Sequence, residues 1–253
     1  MRKFLFTALA VFAILGCSSN DDVPCMTCGD SYNTYSSSSS WSSSSVPTQS
    51  GIIRGTPVYY GGETYETVVI GSQTWMARNL NYDVSGSKCY NNDPANCAKY
   101  GRLYDWATAM GISSSYNNSS YNPSASTKYK GICPSGWHIP NNAEWDKLVR
   151  YVDGTSGTSS PYDSPTAGRY LKATSGWNSN GNGNDKYGFS ALPGGYGGSG
   201  GFFDFVGRNG YWWTASEYSS DYAYGRSMYY RLEDVDYNDG TKNYMVSVRC
   251  LQD

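Results

Sequence analysis

The sequence is poor in histidine and has no surplus of positive charge. It holds one histidine, His138, and 19 Lys and Arg residues against 21 Asp and Glu residues. Because neutralising a phosphate backbone takes an excess of Lys and Arg, this balance excludes nucleic acid as a partner. A Ser-His or Cys-His nucleophile system would have to use His138, which lies in an apolar turn between Trp137 and Ile139. We therefore expect a structural histidine bonded to backbone, no catalytic residues, and a protein that is not an enzyme.

Long hydrophobic runs are also scarce, and the clearest one lies at the N-terminus. Residues 4–15 are mainly apolar and follow Arg2 and Lys3. This run is too short to span a bilayer but is typical of the central part of a signal peptide. It ends in the sequence AILGC at residues 13–17, which resembles the signal of bacterial lipoproteins. We predict that residues 1–16 are a lipoprotein signal peptide and that Cys17 is lipidated.

Lipidation at Cys17 would anchor the protein to a membrane without spanning it. By resemblance to other lipoproteins, Ser18 after the cysteine favours sorting to the outer membrane. Removing Arg2 and Lys3 with the signal leaves 17 basic against 21 acidic residues, a net charge of −4. The membrane is thus expected to be a partner through the lipid alone. The predicted location is the bacterial outer membrane or cell surface.

Residues 17–50 have no hydrophobic period, and residues 36–45 are all Ser except Trp41. Such a polar tract buries too little apolar surface to offset its ordering entropy, so we predict a disordered Ser-rich linker. Cys25 and Cys28 within it have the spacing of redox and zinc sites but lack their context. The favoured interpretation is that they form a small local disulfide or are free thiols without a function. The linker would carry one domain, residues 51–253.

The composition of that domain favours a β or α+β fold. The chain has 25 Tyr against 7 Phe, and 29 Gly, whereas helical bundles are rich in Ala, Leu, Glu and Lys. Periodicity and turn residues predict an α+β arrangement of strands, then helices, then antiparallel strands. The predicted strands are 56–60, 64–70, 74–80, 210–216, 222–233 and 244–251, and the first two form a hairpin around Gly61-Gly62. The predicted helices are 103–110, 145–152 and 164–172. A capping box at Asn141 and Glu144 marks the start of the second helix.

Four cysteines lie in the domain: Cys89, Cys97, Cys133 and Cys250. In a chain that has left the cytoplasm they are expected to be paired, and three pairings are possible. Bridges Cys89–Cys97 and Cys133–Cys250 are the most economical, because the first closes one loop and the second ties the last strand to the middle of the domain. By the loop-entropy model the long bridge contributes about 4–5 kcal/mol.

Seven short motifs carry a family resemblance. They are WMARNL (75–80), YGRLYDW (100–106), CPSGWHIP (133–140), EW (144–145), GFSALPGG (188–195), YWWTAS (211–216) and SVRC (247–250). Over roughly residues 52–253 the chain resembles the Fibrobacter succinogenes major paralogous domain, found in many lipidated or secreted bacterial proteins. More distantly it is similar to C-type lectin-like and formylglycine-generating-enzyme-like domains.

The resemblance implies a C-type-lectin-like α+β fold, with mixed short antiparallel strands, two to three helices, long Gly- and Asn-rich loops and stapling disulfides. A formylglycine-generating activity would need reactive thiols, but all four domain cysteines are expected to be paired. An enzyme of that fold therefore ranks behind the binding functions.

Calcium is the one cofactor that the sequence suggests. Asn182, Asn184 and Asp185 offer closely spaced oxygen ligands, which a hard cation prefers. Residues 233–239 form a second acidic run but depart from the EF-hand pattern. Asn, Asp and Gly are also the residues that turns need in any case.

The excess of aromatic residues beside Asn, Asp and Gly loops suits sugars, which present apolar ring faces and hydroxyl rims. Trp75, Trp106, Trp137 and Trp145 are expected in the core. We predict a surface lipoprotein that binds polysaccharide or cell-surface glycan in adhesion; a structural or partner-protein-binding component of the cell envelope is the alternative. The candidate ligand-binding residues are Trp177, Tyr187, Tyr196, Tyr211, Trp212, Tyr218 and Tyr222.

Overall fold

The computed structural model describes residues 2–3, 51–154 and 164–253. Cys17, the predicted cleavage site before it, and the Ser-rich linker with Cys25 and Cys28 lie outside the described residues. Gly51 to Asp253 belong to a single compact unit. Across the described ranges, no helix has the length and apolarity needed to cross a bilayer.

The elements confirm the predicted α+β class. In the described ranges the helices are α1 (Pro94–Tyr100), α2 (Trp106–Met110), α3 (Asn142–Asp153) and α4 (Ala167–Leu171). The strands are β1 (Arg2–Lys3), β2 (Val58–Tyr60), β3 (Glu63–Tyr65), β4 (Thr67–Ile70), β5 (Gln73–Met76), β6 (Trp137–His138), β7 (Gly194–Gly197), β8 (Phe203–Val206), β9 (Asn209–Glu217), β10 (Tyr222–Tyr229), β11 (Asp236–Thr241) and β12 (Leu251–Gln252).

The strands form two four-stranded sheets and two hairpins within the described residues. One sheet has the order β1-β11-β10-β9 and the other β4-β5-β12-β6, while β2 pairs with β3 and β7 with β8. Pairing is antiparallel throughout except between β1 and β11. The short antiparallel strands are thus as predicted.

Helix α3 is the best-predicted element. Asn141 accepts a hydrogen bond from the Glu144 backbone N–H, and the Glu144 side chain accepts one from the Asn141 N–H, which completes the capping box. Trp145, Leu148, Val149 and Val152 are buried along one face. Gly154 ends the helix in the left-handed conformation, with φ 70°.

Helix α4 lies within the predicted range 164–172 but is shorter, and the remaining two helices depart from the prediction. Helix α2 begins at Trp106 because Asp105 caps it, its side chain accepting from the Thr108 N–H, while Leu103 pairs with Lys88 in an isolated β-bridge. Helix α1 was missed; its Asp93 cap and Pro94 start are visible in the sequence, but its seven residues show no apolar period. The described residues thus contain four α-helices, besides short 3-10 turns, where two to three helices were expected.

Several strand predictions were wrong in extent. The hairpin around Gly61-Gly62 forms as predicted, but its second arm ends at Tyr65 and residues 67–70 join a different sheet. Strand β10 ends at Tyr229, four residues before the predicted end at 233. Of residues 244–251, only Leu251 lies in a strand, and the remainder makes isolated bridges through Met245, Val246 and Ser247.

Every tryptophan in the described ranges lies in the core, and both predicted disulfides crosslink it. Trp75, Trp106, Trp137 and Trp145 are buried, as expected. Both bridges form as predicted; the Cα atoms of the Cys89–Cys97 bridge lie 4.9 Å apart and those of the Cys133–Cys250 bridge 5.9 Å apart. The second bridge joins the segment before β12 to the segment before β6, which are neighbours in one sheet.

Candidate functional site

Four of the predicted ligand-binding aromatics lie in the core. Trp177, Tyr196, Tyr211 and Trp212 are all buried. The indole N–H of Trp177 donates to the Ala191 carbonyl at 3.0 Å, and the other three pack in the hydrophobic clusters. Their ring faces are not presented to a ligand, so these four assignments are corrected. Composition alone does not distinguish an aromatic residue that stacks against a ligand from one that packs in the core.

Tyr187, Tyr218 and Tyr222 reach the surface. Tyr187 is half-buried beside Tyr151, with 6.0 Å between the ring centroids, and the Lys186 ammonium lies 5.4 Å from its ring centroid. One face of Tyr187 is thus already engaged. Tyr218 and Tyr222 are 38% and 39% exposed and belong to another part of the domain, where Tyr218 lies in the turn between β9 and β10 and Tyr222 begins β10.

Tyr218, Tyr224 and Tyr237 form a continuous row of rings, and Tyr222 lies on the same face of the sheet as Tyr224; we call these four residues the tyrosine strip. The ring centroids of Tyr218 and Tyr224 lie 5.2 Å apart, and those of Tyr224 and Tyr237 lie 4.9 Å apart. Tyr224 and Tyr237 are half-buried. The strip therefore offers adjoining ring surfaces that are open to solvent at the Tyr218 and Tyr222 end.

Strand register builds the strip. Tyr222 pairs with Thr241 and Tyr224 with Asp239, and Tyr237 is opposite Arg226. Because directly opposed residues of antiparallel strands share a face, these side chains lie on one side of the sheet. Tyr218 reaches the same row through the turn, where its backbone N–H donates to the Tyr222 carbonyl at 3.0 Å.

The Tyr237 end of the strip is fixed to helix α3. The buried Arg226 guanidinium lies 4.3 Å from the Tyr237 ring centroid and forms an ion pair with Asp146. The Asn142 side-chain amide donates to the Tyr237 hydroxyl at 2.8 Å. Burial raises the pKa of Asp146, and the nearby Arg226 charge offsets only part of that effect. These contacts hold the Tyr237 ring in a single place.

A buried ion pair fixes the turn at the Tyr218 end of the tyrosine strip. The Lys242 ammonium, fully buried, forms an ion pair with Glu217. It also donates to the carbonyls of Tyr116 and Ser119, each at 3.0 Å, and of Ser220, at 2.8 Å. The pair thus clamps the turn that carries Tyr218 and Tyr222.

Glu217 completes this clamp from its other side. Its carboxylate accepts from the backbone N–H groups of Tyr121, at 2.9 Å, and Asn122, at 2.7 Å. Burial alone would raise the pKa of Glu217, but the Lys242 and backbone hydrogen bonds outweigh it and lower the pKa below its ordinary value. The sequence analysis did not identify Glu217 or Lys242, because both lie in polar segments that are typical of the protein surface.

His138 is buried between two carboxylates. Its Nδ1 lies 2.7 Å from Asp253 Oδ1 and its Nε2 lies 2.9 Å from Glu144 Oε1. The expected backbone partner is therefore wrong, since the partners are side chains. Burial would raise the pKa of Glu144, but its hydrogen bonds with His138 and Asn141 lower it. With both ring nitrogens engaged, His138 joins the start of α3 to the residue after β12.

The predicted calcium ligands serve a turn instead. Asn182 Oδ1 accepts from the Trp177 N–H at 3.0 Å, and Asn184 Oδ1 from the Lys186 N–H at 3.2 Å. Asp185 accepts from the Ser190 N–H at 2.7 Å and from its hydroxyl at 2.6 Å. In the described ranges, no three or more His, Cys, Asp or Glu residues are grouped to hold a metal ion. Each of these side-chain oxygens is thus already used in a hydrogen bond within the turn, and residues 236–239 of the acidic run belong to strand β11.

Comparisons with known proteins bear on the family alone. No curated protein and no solved structure matches the chain. The family model described as the Fibrobacter succinogenes major domain matches residues 68–252, well over half of the chain. All seven motifs quoted above lie within that range. The resemblance to this domain is confirmed over those residues, and the chain belongs to the Fibrobacter succinogenes major domain family.

Proposed function

We propose that the tyrosine strip binds polysaccharide or cell-surface glycan and that the protein is an adhesive binding module, not an enzyme. Sugars have apolar faces that pack on aromatic rings and hydroxyl rims that bond to nearby polar groups. The strip offers four tyrosine rings with their hydroxyls, and Asp221 and Ser220 lie in the adjoining turn. These groups suit a neutral sugar surface.

The observation that carries the proposal is that two partly exposed tyrosines flank a turn whose backbone is held by a buried ion pair. Tyr218 and Tyr222 keep more than a third of their surface in solvent, while Lys242 and Glu217 beneath the turn are buried. A site that is ordered before binding loses less conformational entropy when the ligand arrives. Exposed tyrosine rings beside a preorganised turn are therefore an arrangement suited to binding.

A C-type-lectin-like fold is proposed alongside this function. The proposal is supported by the Glu-Trp start of α3, by the short strands, and by the bridge from Cys250 to the interior. Chemistry of the formylglycine-generating type is disfavoured because the four domain cysteines are paired. An acid–base role for His138 is disfavoured because both of its ring nitrogens are bonded to carboxylates.

Binding of an envelope protein is the second candidate function. Tyrosine is enriched in the centres of protein interfaces for the same reason that it suits sugars, since it combines a large apolar ring with a polar tip. Under this alternative the tyrosine strip would be the contact surface, and the protein would retain an envelope protein but no glycan.

The test is retention of the full-length chain, purified in mild detergent with its disulfides intact, on a panel of insoluble and soluble polysaccharides. We expect retention on at least one glycan and a loss of about tenfold in affinity for the double variant Tyr218→Ala, Tyr222→Ala, since each ring contact is worth about 0.5–1.5 kcal/mol. The matched control is Tyr59→Ala, because Tyr59 is 73% exposed and lies outside the strip. No retention on any glycan, or equal retention by the double variant, would reject the proposal.

A further inference from the structure

We propose that a second, basic groove binds an anionic sugar residue through its carboxylate or sulfate group. The groove has a volume of about 470 Å³ and lies between helix α4, the turn at residues 179–182 and the turn at residues 230–233. Its chemistry differs from that of the tyrosine strip, and the inference does not depend on the function proposed for the strip.

The groove walls are in backbone contact through glycines. A Cβ atom on Gly181 would lie 2.0 Å from the Tyr230 carbonyl oxygen, and one on Gly168 would lie 2.1 Å from the Asp234 carbonyl oxygen. The Arg169 N–H also donates to the Glu233 carbonyl at 3.0 Å. With the segments this close, the side chains that line the groove stand on a rigid frame, which suits a preformed site.

Positive charge dominates the lining. Arg169, Lys172 and Arg231 face a single lining carboxylate, Glu233. Arg169 and Glu233 are both more than half exposed, and their closest charged atoms are 3.9 Å apart, which is a loose, solvated contact. The lining therefore keeps guanidinium groups that an incoming anion can reach.

Lys172 adds a cation that is held in place. Its buried ammonium donates to the carbonyls of Tyr229 at 3.1 Å and Leu232 at 2.7 Å. Carbonyl oxygens are neutral, so these bonds fix the side chain and leave its charge at the buried side of the groove. Burial lowers the pKa of Lys172, and the charges of Glu233 and Asp234 offset part of that effect. An added anion in the groove would favour the charged ammonium further.

The remaining lining groups suit a sugar better than a bare ion. The Asn182 side-chain carbonyl already accepts from the Trp177 N–H, so the group it can offer a ligand is its NH₂ donor. Tyr230 and Leu232 add apolar surface to the same groove. Donors and cations beside apolar surface match a ring that carries a carboxylate or sulfate, and the volume falls in the usual range for small-ligand sites.

The experiment is isothermal titration of the full-length chain with three probes: a galacturonate trisaccharide, its uncharged methyl ester, and a sulfated galactose disaccharide. Titrations are run at an ionic strength of about 0.01 M, where the screening length is about 30 Å, and again at about 0.15 M. We expect a charged probe to bind, the methyl ester to bind at least tenfold more weakly, and the affinity to fall at the higher salt. Binding of the galacturonate only, or of the sulfated sugar only, identifies which anionic group the groove accepts.

Amino-acid substitutions test whether the charged probe binds in the basic groove. We expect Arg169→Gln with Arg231→Gln to weaken the charged probe by about tenfold and Glu233→Gln to tighten it by roughly twofold or more. Arg54→Gln is the matched control, because Arg54 is an exposed arginine outside the groove. Tyr218→Ala with Tyr222→Ala should leave this binding unchanged, which separates it from the strip. No binding of either charged probe at millimolar concentration, equal binding of the methyl ester, or an equal loss in Arg54→Gln would overturn the inference.

Discussion

Single buried cations organise the surface that we propose binds sugar. Lys242 and Arg226 lie beneath the two ends of the tyrosine strip, and each is matched by one carboxylate. Arg249 is also buried; its guanidinium donates twice to Asn79 Oδ1, at 3.2 and 2.7 Å, and burial lowers its pKa to about 9. Because a buried ion without its partners is strongly unfavourable, changes at these residues should have large effects.

Lys242→Met should destabilise the domain by about 3–5 kcal/mol, because it leaves the Glu217 carboxylate buried without its partner. The measurement is urea unfolding of the full-length chain followed by tryptophan fluorescence. Lys147→Met is the control, since Lys147 is exposed on α3 and should change stability by less than about 0.5 kcal/mol. A loss below about 1 kcal/mol in Lys242→Met would show that the clamp contributes little.

Acid should weaken the fold through Glu217 and Glu144, whose pKa values are both lowered by their partners. Such a group adds stability above its unfolded pKa of about 4.3, and that contribution is lost as the pH falls through the folded value. Asp146, with a raised pKa, acts in the opposite direction. We expect the free energy of unfolding to fall from about pH 5 downward, and Glu217→Gln to show a shallower fall. Equal slopes for the two proteins would contradict this assignment.

At the scale of elements, a helix whose signals lie within one segment was predictable, whereas strands that form only by pairing with a distant segment were not. Helix α3 could be placed because its cap, apolar period and final glycine all lie within one segment. Strand β11 was missed because its sequence, DYNDGT, reads as a turn or metal loop, and it is a strand only through pairing with β10. Strands β7 and β8 were missed because the glycines around them indicate loops.

The cap of α3 gives a test at this scale. Asn141→Ala should lower the free energy of unfolding by about 1 kcal/mol, because the Glu144 N–H loses its side-chain acceptor. Asn141→Asp keeps an acceptor at the same position and should retain most of the stability. The two variants are compared by the midpoint of urea unfolding. Equal midpoints for Asn141→Ala and the unaltered chain would mean that the cap is not stabilising.

At the scale of the whole molecule, the sequence predicted the α+β class, the family and both disulfides, but not the whole of the tyrosine strip. Tyr218 and Tyr222 were among the candidates because aromatic residues beside polar turns suit sugars. Tyr237 was not, since β11 brings it to the strip. Trp177 and Trp212 were selected by the same composition and lie in the core. Burial depends on how the sheets and helices pack together, and a local sequence pattern does not determine that packing.

The proposed lipid anchor is also a property of the whole molecule. It rests on the residues before Cys17, whose sequence resembles a lipoprotein signal. In cells given labelled palmitate, the chain should incorporate label and fractionate with outer membranes, whereas Cys17→Ala should do neither. Cys25→Ala is the matched control and should behave as the unaltered chain. Label retained in Cys17→Ala, or a chain found only in soluble fractions, would contradict the anchor.

The most direct test of the account is the affinity of the full-length chain for the polysaccharide panel, compared side by side with the Tyr218→Ala, Tyr222→Ala variant. We expect a glycan to be bound and the variant to lose about tenfold in affinity while its unfolding midpoint is unchanged. The contradicting result is a chain that binds no glycan, or one whose binding survives the loss of both exposed rings.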